Sequence, residues 1–276
     1  MLQSMAKPKQ ASPVSQASYD VPPPSLALLA MEFRAPMEFG ALLPAWPALQ
    51  RAPRGDGHTV VVYPGLSASD ATTIPLRKYL SSLGYSVHGW GQGFNFGPRA
   101  GVLDAGRQQL RAVLAQSRQP ISLVGWSLGG IYARELAKEL ISEGHPVRSV
   151  ITLGTPFAGG PHSTNAWRLY ELTSGRSAQR EAEKFELPTA PSVPTTSIYS
   201  RSDGIVAWQA SLQAAQADNP HIENIEVLAS HFGIGLNPSA WWALADRLAQ
   251  TPDQWQKFQK PSLMGLQNLV FPDPAR

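Results

Sequence analysis

The chain has 276 residues, of which 43% are hydrophobic and 16% charged, a composition typical of a folded globular protein. Its formal net charge is only +3 and its Lys and Arg residues are scattered, so the sequence does not support nucleic-acid binding. Cysteine is absent, which excludes disulfide bonds, thiolate metal sites and a cysteine nucleophile.

The N-terminal region is polar and then apolar. Residues 1–20 lack the apolar core of a signal peptide, and the apolar run at 26–31 is too short to span a bilayer. We therefore expect a cytoplasmic protein without an integral membrane segment; a chain from which a signal had been removed would look the same, so secretion stays open. Residues 1–24, rich in Ser, Gln and Pro, predict a flexible arm. Residues 25–276 predict one domain that starts with short helical turns over 25–56.

Strand and helix patterns then alternate along the chain. Short runs rich in β-branched residues predict six strands, at 59–63, 85–90, 121–124, 147–153, 196–199 and 225–228. Apolar residues at helical spacing predict four helices between or after them, at 72–82, 101–116, 128–141 and 240–248. This alternation indicates an α/β fold with a mostly parallel central sheet of about six strands and helices on both faces.

One long segment, residues 157–194, contains no strand pattern. Long segments of this kind inside compact domains are often functional, so we interpret it as a small lid or cap insertion. The alternative is a helical excursion that only packs against the edge of the sheet.

The third predicted strand runs directly into Gly125-Trp126-Ser127-Leu128-Gly129, followed by a helix. This is the G-x-S-x-G nucleophile elbow in its required context, in which a sharp turn projects the serine hydroxyl above the sheet. The N-terminus of the following helix favours the negative charge that develops at the site. We therefore predict that Ser127 is a nucleophile; the alternative is a chance pentapeptide.

The acid and the base of such a site follow the serine in the order Asp or Glu, then His. Asp203 is the only carboxylate in the loop 200–204 after the fifth strand, and His231 follows the sixth strand. His221 precedes that strand, and the other four histidines come before Asp203. We therefore predict a Ser127-Asp203-His231 triad, against the alternatives of a loop-capping Asp and an ordinary surface His.

A tetrahedral intermediate also needs backbone N–H donors. We expect these from Leu128, directly after the nucleophile, and from Leu66 in the loop after the first strand. The alternative for Leu66 is a loop that simply ends the strand. Aromatic residues near the elbow and in the lid segment suggest a hydrophobic acyl pocket, although a Trp is more often part of a core; the candidates are Trp126, Phe157, Trp167 and Trp208.

These motifs together resemble the α/β-hydrolase superfamily. The residues that carry the resemblance are Gly125–Gly130, the loop around Asp203, Ser230-His231, Gly93–Pro98 and Gly154-Thr155-Pro156. They look closest to the bacterial lipase and carboxylesterase branches, in which the lid begins after a Gly-Thr-Pro turn. The resemblance covers about residues 58–250 and leaves the N-terminal fifty unexplained. The chain departs from those lipases in having Tyr63-Pro64-Gly65 where many have His-Gly, and in lacking their disulfide.

The resemblance implies a serine carboxylic ester hydrolase that cleaves hydrophobic esters of short to medium acyl chain. The expected partner is a small-molecule ester, with lipid-interface contact through the lid. The alternatives are an acyltransferase using the same triad and a non-catalytic binding protein with the hydrolase fold. No metal-ligand spacing or phosphate-binding loop occurs in the sequence, so we expect neither a metal nor a cofactor.

Overall fold

The computed structural model describes residues 21–182, 185–262 and 267–272. Most of the arm predicted at 1–24 lies outside this part of the chain. None of the described helices is both long and apolar enough to cross a membrane.

Six strands form a single sheet in which every pairing is parallel, in the spatial order β2-β1-β3-β4-β5-β6. The strands are β1 (Thr59–Tyr63), β2 (Ser86–Gly89), β3 (Ile121–Trp126), β4 (Val147–Leu153), β5 (Thr195–Tyr199) and β6 (Ile222–Glu226). The predicted α/β architecture with a parallel six-stranded sheet is confirmed. The largest difference is in β6, which begins three residues before the predicted 225–228, because its first residues Ile222 to Asn224 form a half-buried strand without continuous apolar character.

Nine α-helices are described: α1 (Leu26–Ala30), α2 (Ala35–Leu49), α3 (Asp70–Ser82), α4 (Val102–Gln116), α5 (Leu128–Ser142), α6 (Trp167–Ser174), α7 (Ala178–Ala182), α8 (Pro238–Ala249) and α9 (Gln267–Val270). Successive strand residues point to opposite faces, so the core has two layers. Val60 and Val62 pack with the buried faces of α2, α3 and α8, whereas Val61 and Tyr63 pack with α4 and α5. The sheet is therefore covered on both faces, as predicted.

The N-terminal region is more regular than the short helical turns predicted for residues 25–56. It contains α2, a helix of 15 residues, even though Pro44 and Pro47 lie inside it. Prolines usually interrupt a helix because they lack an N–H donor. Here Leu42 and Leu49 are buried in the same core cluster as α8, and this tertiary packing supports the helix.

The segment 157–194 contains α6, α7 and a short 3₁₀ turn, and no strand among its described residues. A single antiparallel bridge, between Thr164 and Val206, ties it to the loop after β5. Whether this segment acts as a lid stays a prediction.

Candidate active site

The site lies where the order of the strands reverses. After β1 the chain adds β2 on one side and then returns to add β3 on the other, so the carboxyl ends of β1 and β3 are neighbours. Such a switch point leaves a crevice beyond the carboxyl ends of the strands, which is where open α/β sheets bind ligands.

Ser127 occupies the sharp turn between β3 and α5. Its backbone has φ 54° and ψ −123°, a conformation that non-glycine residues rarely adopt and that often marks a functional site. The flanking glycines are required by space: a Cβ on Gly125 would lie 2.3 Å from the Gly129 carbonyl oxygen, and one on Gly129 would lie 2.4 Å from that of Tyr63. The sequence therefore builds a tight elbow that holds the serine hydroxyl above the sheet.

The structure brings the three residues of the predicted triad into one chain of hydrogen bonds. The Ser127 hydroxyl lies 2.9 Å from Nε2 of His231, and Nδ1 of His231 lies 2.7 Å from Oδ2 of Asp203. An ionised carboxylate only accepts, so Nδ1 carries the proton and Nε2 is free to accept the hydroxyl proton. Asp203 and His231 are 3% and 4% exposed, so the pair is sheltered from water.

Backbone groups fix the orientation of the Asp203 carboxylate. Its Oδ1 accepts hydrogen bonds from the backbone N–H groups of Ile205 (2.8 Å) and Val206 (2.7 Å), which leaves Oδ2 directed at the histidine. We call residues 200–206 the acid loop and residues 227–233 the histidine loop. The first follows β5 and the second follows β6, so both lie at the carboxyl edge of the sheet.

The pKa of His231 lies above its usual value. Burial lowers it, but the charge and hydrogen bond of Asp203 and the charge of Glu32 outweigh burial. The surroundings therefore stabilise an imidazolium, the form that a general base takes after it accepts a proton.

Gly154, in the Gly-Thr-Pro turn after β4, borders the acid–base pair. Its φ is +54°, and a Cβ there would lie 3.1 Å from Oδ2 of Asp203 and 3.3 Å from Nδ1 of His231. The neighbouring Thr155 packs on Gly130 of α5, where a Cβ would lie 2.0 Å from the threonine hydroxyl oxygen. Position 154 therefore requires glycine, because the side chains of Asp203 and His231 lie directly beside it.

The loop after β1, residues 64–69, lies against Ser127, and we call it the oxyanion loop because it contains Leu66, a predicted oxyanion donor. A Cβ on Gly65 would lie 3.3 Å from Cβ of Ser127. Among the described residues, no protein acceptor takes the N–H of Leu66 or of Leu128. Both residues line the same pocket as Ser127, and their role as oxyanion donors stays a prediction.

Asn95 holds the oxyanion loop in place, a role that the sequence analysis missed. Asn95 is fully buried. Its side-chain Nδ2 donates to the backbone carbonyl of Pro64 (2.8 Å), and its backbone carbonyl accepts from Ser67 N–H (2.7 Å). Its Oδ1 also accepts from the hydroxyl of Tyr132 on α5 (3.3 Å). The Gly93–Pro98 stretch carries part of the resemblance, and nothing in its sequence pattern indicates that Asn95 bonds to the oxyanion loop.

A largely apolar pocket lies beside Ser127 and is lined in part by residues of the segment 157–194. Its lining includes Leu128 and Ile131 from α5, and Trp167 and Tyr170 from α6. Two carboxylates also line it, each paired with a cation: Glu135 with Lys138 (2.7 Å) and Glu181 with Arg176 (3.0 Å). The cavity therefore offers mostly hydrocarbon to a bound molecule.

Of the four aromatic residues expected in the pocket, Trp167 lies in its lining. Phe157 is buried beneath the guanidinium of Arg134, whose Cζ is 3.9 Å from the ring centre. Trp208 stacks on Tyr199 with 6.1 Å between ring centres. These two rings serve packing, which is the more common role of a large aromatic residue.

Trp126, the fourth of these residues, is also absent from the pocket lining, and it supports the histidine loop instead. Its indole N–H donates to the carbonyl of His231 (3.1 Å), and its ring fills the space beside Gly235. Alternation along β3 explains the difference, because residue 126 points to the opposite side of the strand from its neighbours.

A second Ser-His-Asp arrangement lies at the other end of the sheet. Nδ1 of His58 is 2.7 Å from Asp56, and Nε2 is 3.0 Å from the Ser122 hydroxyl. Ser122 is fully buried within β3 and bonds onward to Ser149 (2.9 Å), so no substrate could reach it. This network ties strands together and is not a second active site.

Among residues 21–182, 185–262 and 267–272, no cluster of three or more His, Cys, Asp or Glu side chains could hold a metal ion.

Comparisons with known proteins agree with this architecture. The thioesterase domain family matches residues 106–181, a stretch that contains Ser127 but neither Asp203 nor His231. No curated protein matches the chain in sequence.

Many solved structures are similar to this chain, and three of them illustrate the match. Aspergillus fumigatus lipase B has a TM-score of 0.55 and 18% identity over 71% of this chain and 53% of its own. The RedJ thioesterase of the prodiginine biosynthetic pathway in Streptomyces coelicolor has a TM-score of 0.51 and 18% identity over 72% of this chain and 87% of its own. An α/β superfamily hydrolase from Oenococcus oeni has a TM-score of 0.52 and 16% identity over 71% of this chain and 94% of its own. The match thus spans about half of the lipase but most of the other two structures. With its elbow and parallel sheet, this chain has the α/β-hydrolase fold.

Proposed function

We propose that the protein is a serine hydrolase that cleaves carboxylic esters with hydrophobic acyl groups of short to medium length through an acyl-enzyme on Ser127. The observation that carries the proposal is the continuous hydrogen-bonded chain from Asp203 through His231 to Ser127. Its serine end opens into a largely apolar pocket.

The proposed reaction has two halves. Nε2 of His231 takes the hydroxyl proton as Oγ of Ser127 attacks the ester carbonyl, and the resulting oxyanion accepts hydrogen bonds from the N–H groups of Leu66 and Leu128. Collapse of the intermediate breaks the bond to the leaving group, which receives the proton from His231. Water then attacks the acyl-enzyme with the same base and releases the acid and free Ser127. Asp203 stays ionised throughout and stabilises the imidazolium.

The pocket supports an apolar acyl group. Its hydrocarbon lining would be desolvated by an alkyl chain, which is favourable by about 0.8 kcal/mol for each buried CH₂ group.

A thioester is the second candidate substrate, favoured by the match of residues 106–181 to the thioesterase domain. The chemistry is the same up to the leaving group, which would be a thiol in place of an alcohol. In the proposed reaction the pocket takes the acyl group, which is the same in an ester and a thioester, so the pocket does not distinguish the two classes.

Contact with a lipid interface through residues 157–194 is part of the proposal. The outer face of α6 carries Leu169 and Leu172, which are 45% and 83% exposed. An interface that bound these side chains would meet a segment that lines the pocket.

The experiment is a matched series of oxygen esters and thioesters with acyl chains from two to sixteen carbons, with Ser127→Ala as the control. We expect hydrolysis with a maximum at short to medium chains, and loss of activity in the variant without loss of the fold. A maximum at long chains with activation by an oil interface would indicate a true lipase. Transfer of the acyl group to an added alcohol in preference to water would indicate an acyltransferase. Absence of turnover on the whole series would contradict the proposal.

A further inference from the structure

The segment before β1 places its charged side chains towards the two loops that carry Asp203 and His231. Between residues 25 and 50 the charged residues are Glu32, Arg34 and Glu38. The burial of this stretch is the reverse of what its residue types suggest: the charged Glu32 is 5% exposed, whereas the apolar Phe33 beside it is 90% exposed. A carboxylate is rarely buried unless hydrogen bonds satisfy it, so the hydrogen-bond partners of Glu32 indicate its role.

Three backbone N–H groups converge on the Glu32 carboxylate. Oε1 accepts from Gly204 (2.7 Å) and from His231 (2.9 Å), and Oε2 accepts from Phe232 (2.9 Å). Gly204 directly follows Asp203 in the acid loop, and His231 and Phe232 belong to the histidine loop. One side chain thus joins the backbones of the two loops, at His231 itself and at the residue that follows Asp203.

We propose that Glu32 is a positioning residue, which sets the distance between Asp203 and His231 by fastening the acid loop and the histidine loop to a single carboxylate. The proposal rests on the proposed function, since it concerns how the same triad is held. Glu32 does not contact Ser127 and acts through the other two residues.

The rest of the segment supports this arrangement. Arg34 donates to the carbonyl and the hydroxyl of Ser202 in the acid loop, both at 2.8 Å. Glu38 accepts from Ser230 N–H in the histidine loop (2.7 Å) and pairs with Arg34 (3.2 Å). Each loop therefore has a second tie to the same segment. The hydroxyls of Ser200 and Ser202 also bond the acid loop directly to the Ala229 carbonyl of the histidine loop, whereas Glu32 bonds to His231 itself.

A carboxylate suits this position better than an amide. Glutamine has one accepting oxygen, and its NH₂ group would face a third N–H donor with no acceptor between them. The glycine at position 204 also permits the acid loop to lie close to α1, because a Cβ there would lie 2.3 Å from the carbonyl oxygen of Leu28. The acid loop is thus shaped to receive the N-terminal segment.

The charge of Glu32 gives the proposal a readout beyond stability. The charged groups that act on His231 are Asp203, from the acid loop, and Glu32, and both favour the imidazolium. Arg34 and Glu38 are engaged with each other. Removal of the Glu32 charge therefore lowers the pKa of His231. The acid limb of kcat/KM requires neutral His231, so it moves to lower pH.

The experiment compares Glu32→Gln and Glu32→Asp with the wild-type chain. Glu223→Gln is the matched control: Glu223 is also a largely buried carboxylate that accepts a backbone N–H, from Phe258 (2.8 Å), but away from the triad. We expect Glu32→Gln to lower kcat by about tenfold or more with little change in KM, and to move the acid limb to lower pH. Glu32→Asp keeps the charge but is one CH₂ shorter, so kcat falls while the acid limb stays. The control variant loses stability alone.

The rate of Ser127 labelling by a fluorophosphonate and the titration of the His231 imidazole by NMR replace turnover where no ester is cleaved. Absence of labelling in the wild-type chain would contradict the proposed function. The NMR titration still tests Glu32 in that case: a lower His231 pKa in Glu32→Gln than in wild type supports the proposal. An unchanged His231 pKa, or unchanged kcat per folded molecule, overturns it.

Discussion

Replacing Gly154 with alanine tests how closely the fold is fitted around the triad. The new Cβ would stand 3.1 Å from Oδ2 of Asp203 and 3.3 Å from Nδ1 of His231, closer than a methyl group normally approaches either atom. The Asp203–His231 hydrogen bond, 2.7 Å long, would have to yield by a few tenths of an ångström.

The expected effect divides into two parts. The positive φ of +54° disfavours any residue with a Cβ by about 1 kcal/mol, which appears as a loss of unfolding free energy. A displacement of 1 Å in a catalytic group can cost about 10²-fold in rate. A shift of a few tenths of an ångström should therefore lower kcat by about tenfold, equivalent to about 1.4 kcal/mol of transition-state stabilisation.

Gly144→Ala separates the two parts. Gly144 also has a positive φ, +80°, but nothing lies within 4 Å of its Cβ position. Denaturant unfolding should show a similar loss of stability in both variants, and ester hydrolysis should show a loss of kcat only in Gly154→Ala. If Gly154→Ala hydrolysed esters at the wild-type rate, the close fit of this turn to the acid–base pair would be irrelevant to catalysis.

Three further predictions follow from the site and the core. The pKa of His231 is raised above its usual 6.5, so a kcat/KM profile should have its acid limb above pH 6.5; Asp203→Asn should move the limb to lower pH and reduce kcat by about 10⁴-fold. Asn95→Ala removes three buried side-chain hydrogen bonds and should lower the unfolding free energy by about 2–4 kcal/mol, with a parallel loss of kcat; wild-type values in both assays would contradict its role. Burial lowers the pKa of His58 despite its hydrogen bond to Asp56, so the unfolded chain binds more protons below pH 6.5, and stability should fall as pH falls below that value. The raised pKa of His231 acts with the opposite sign in both proteins, so the test is the difference: the stability of wild type relative to His58→Gln should fall as pH falls through this range, and a constant difference would contradict the prediction.

Much of the fold was predictable from local pattern. The strands β1, β3 and β4 are buried along nearly their whole length. The β-branched run of β1 and the largely apolar β3 show this burial directly in their sequences, whereas β4 also buries Arg148, Ser149 and Thr152. The elbow was predictable for a similar reason. Its glycines and the strand before it satisfy steric requirements that lie within a few residues of Ser127.

The parts that could not be predicted depend on contacts between distant segments. Glu32 bonds to residues 172, 199 and 200 positions away, so its own neighbourhood shows only a lone carboxylate among apolar residues. Trp126 is of a residue type that suits an apolar pocket, but its side chain lies on the face of β3 where it contacts the histidine loop. The helix α2 forms despite the two prolines it contains, because its inner face is buried against α8 and the core. Tertiary packing overrides local preference in each case.

The central claim is that Ser127 carries the acyl group. The most direct measurement is mass spectrometry of the protein quenched during turnover of a slowly hydrolysed p-nitrophenyl ester. The account predicts a single acyl adduct on the peptide that contains Ser127, absent from Ser127→Ala. An active enzyme without that adduct, or a Ser127→Ala variant that still hydrolyses the ester at the wild-type rate, would contradict it.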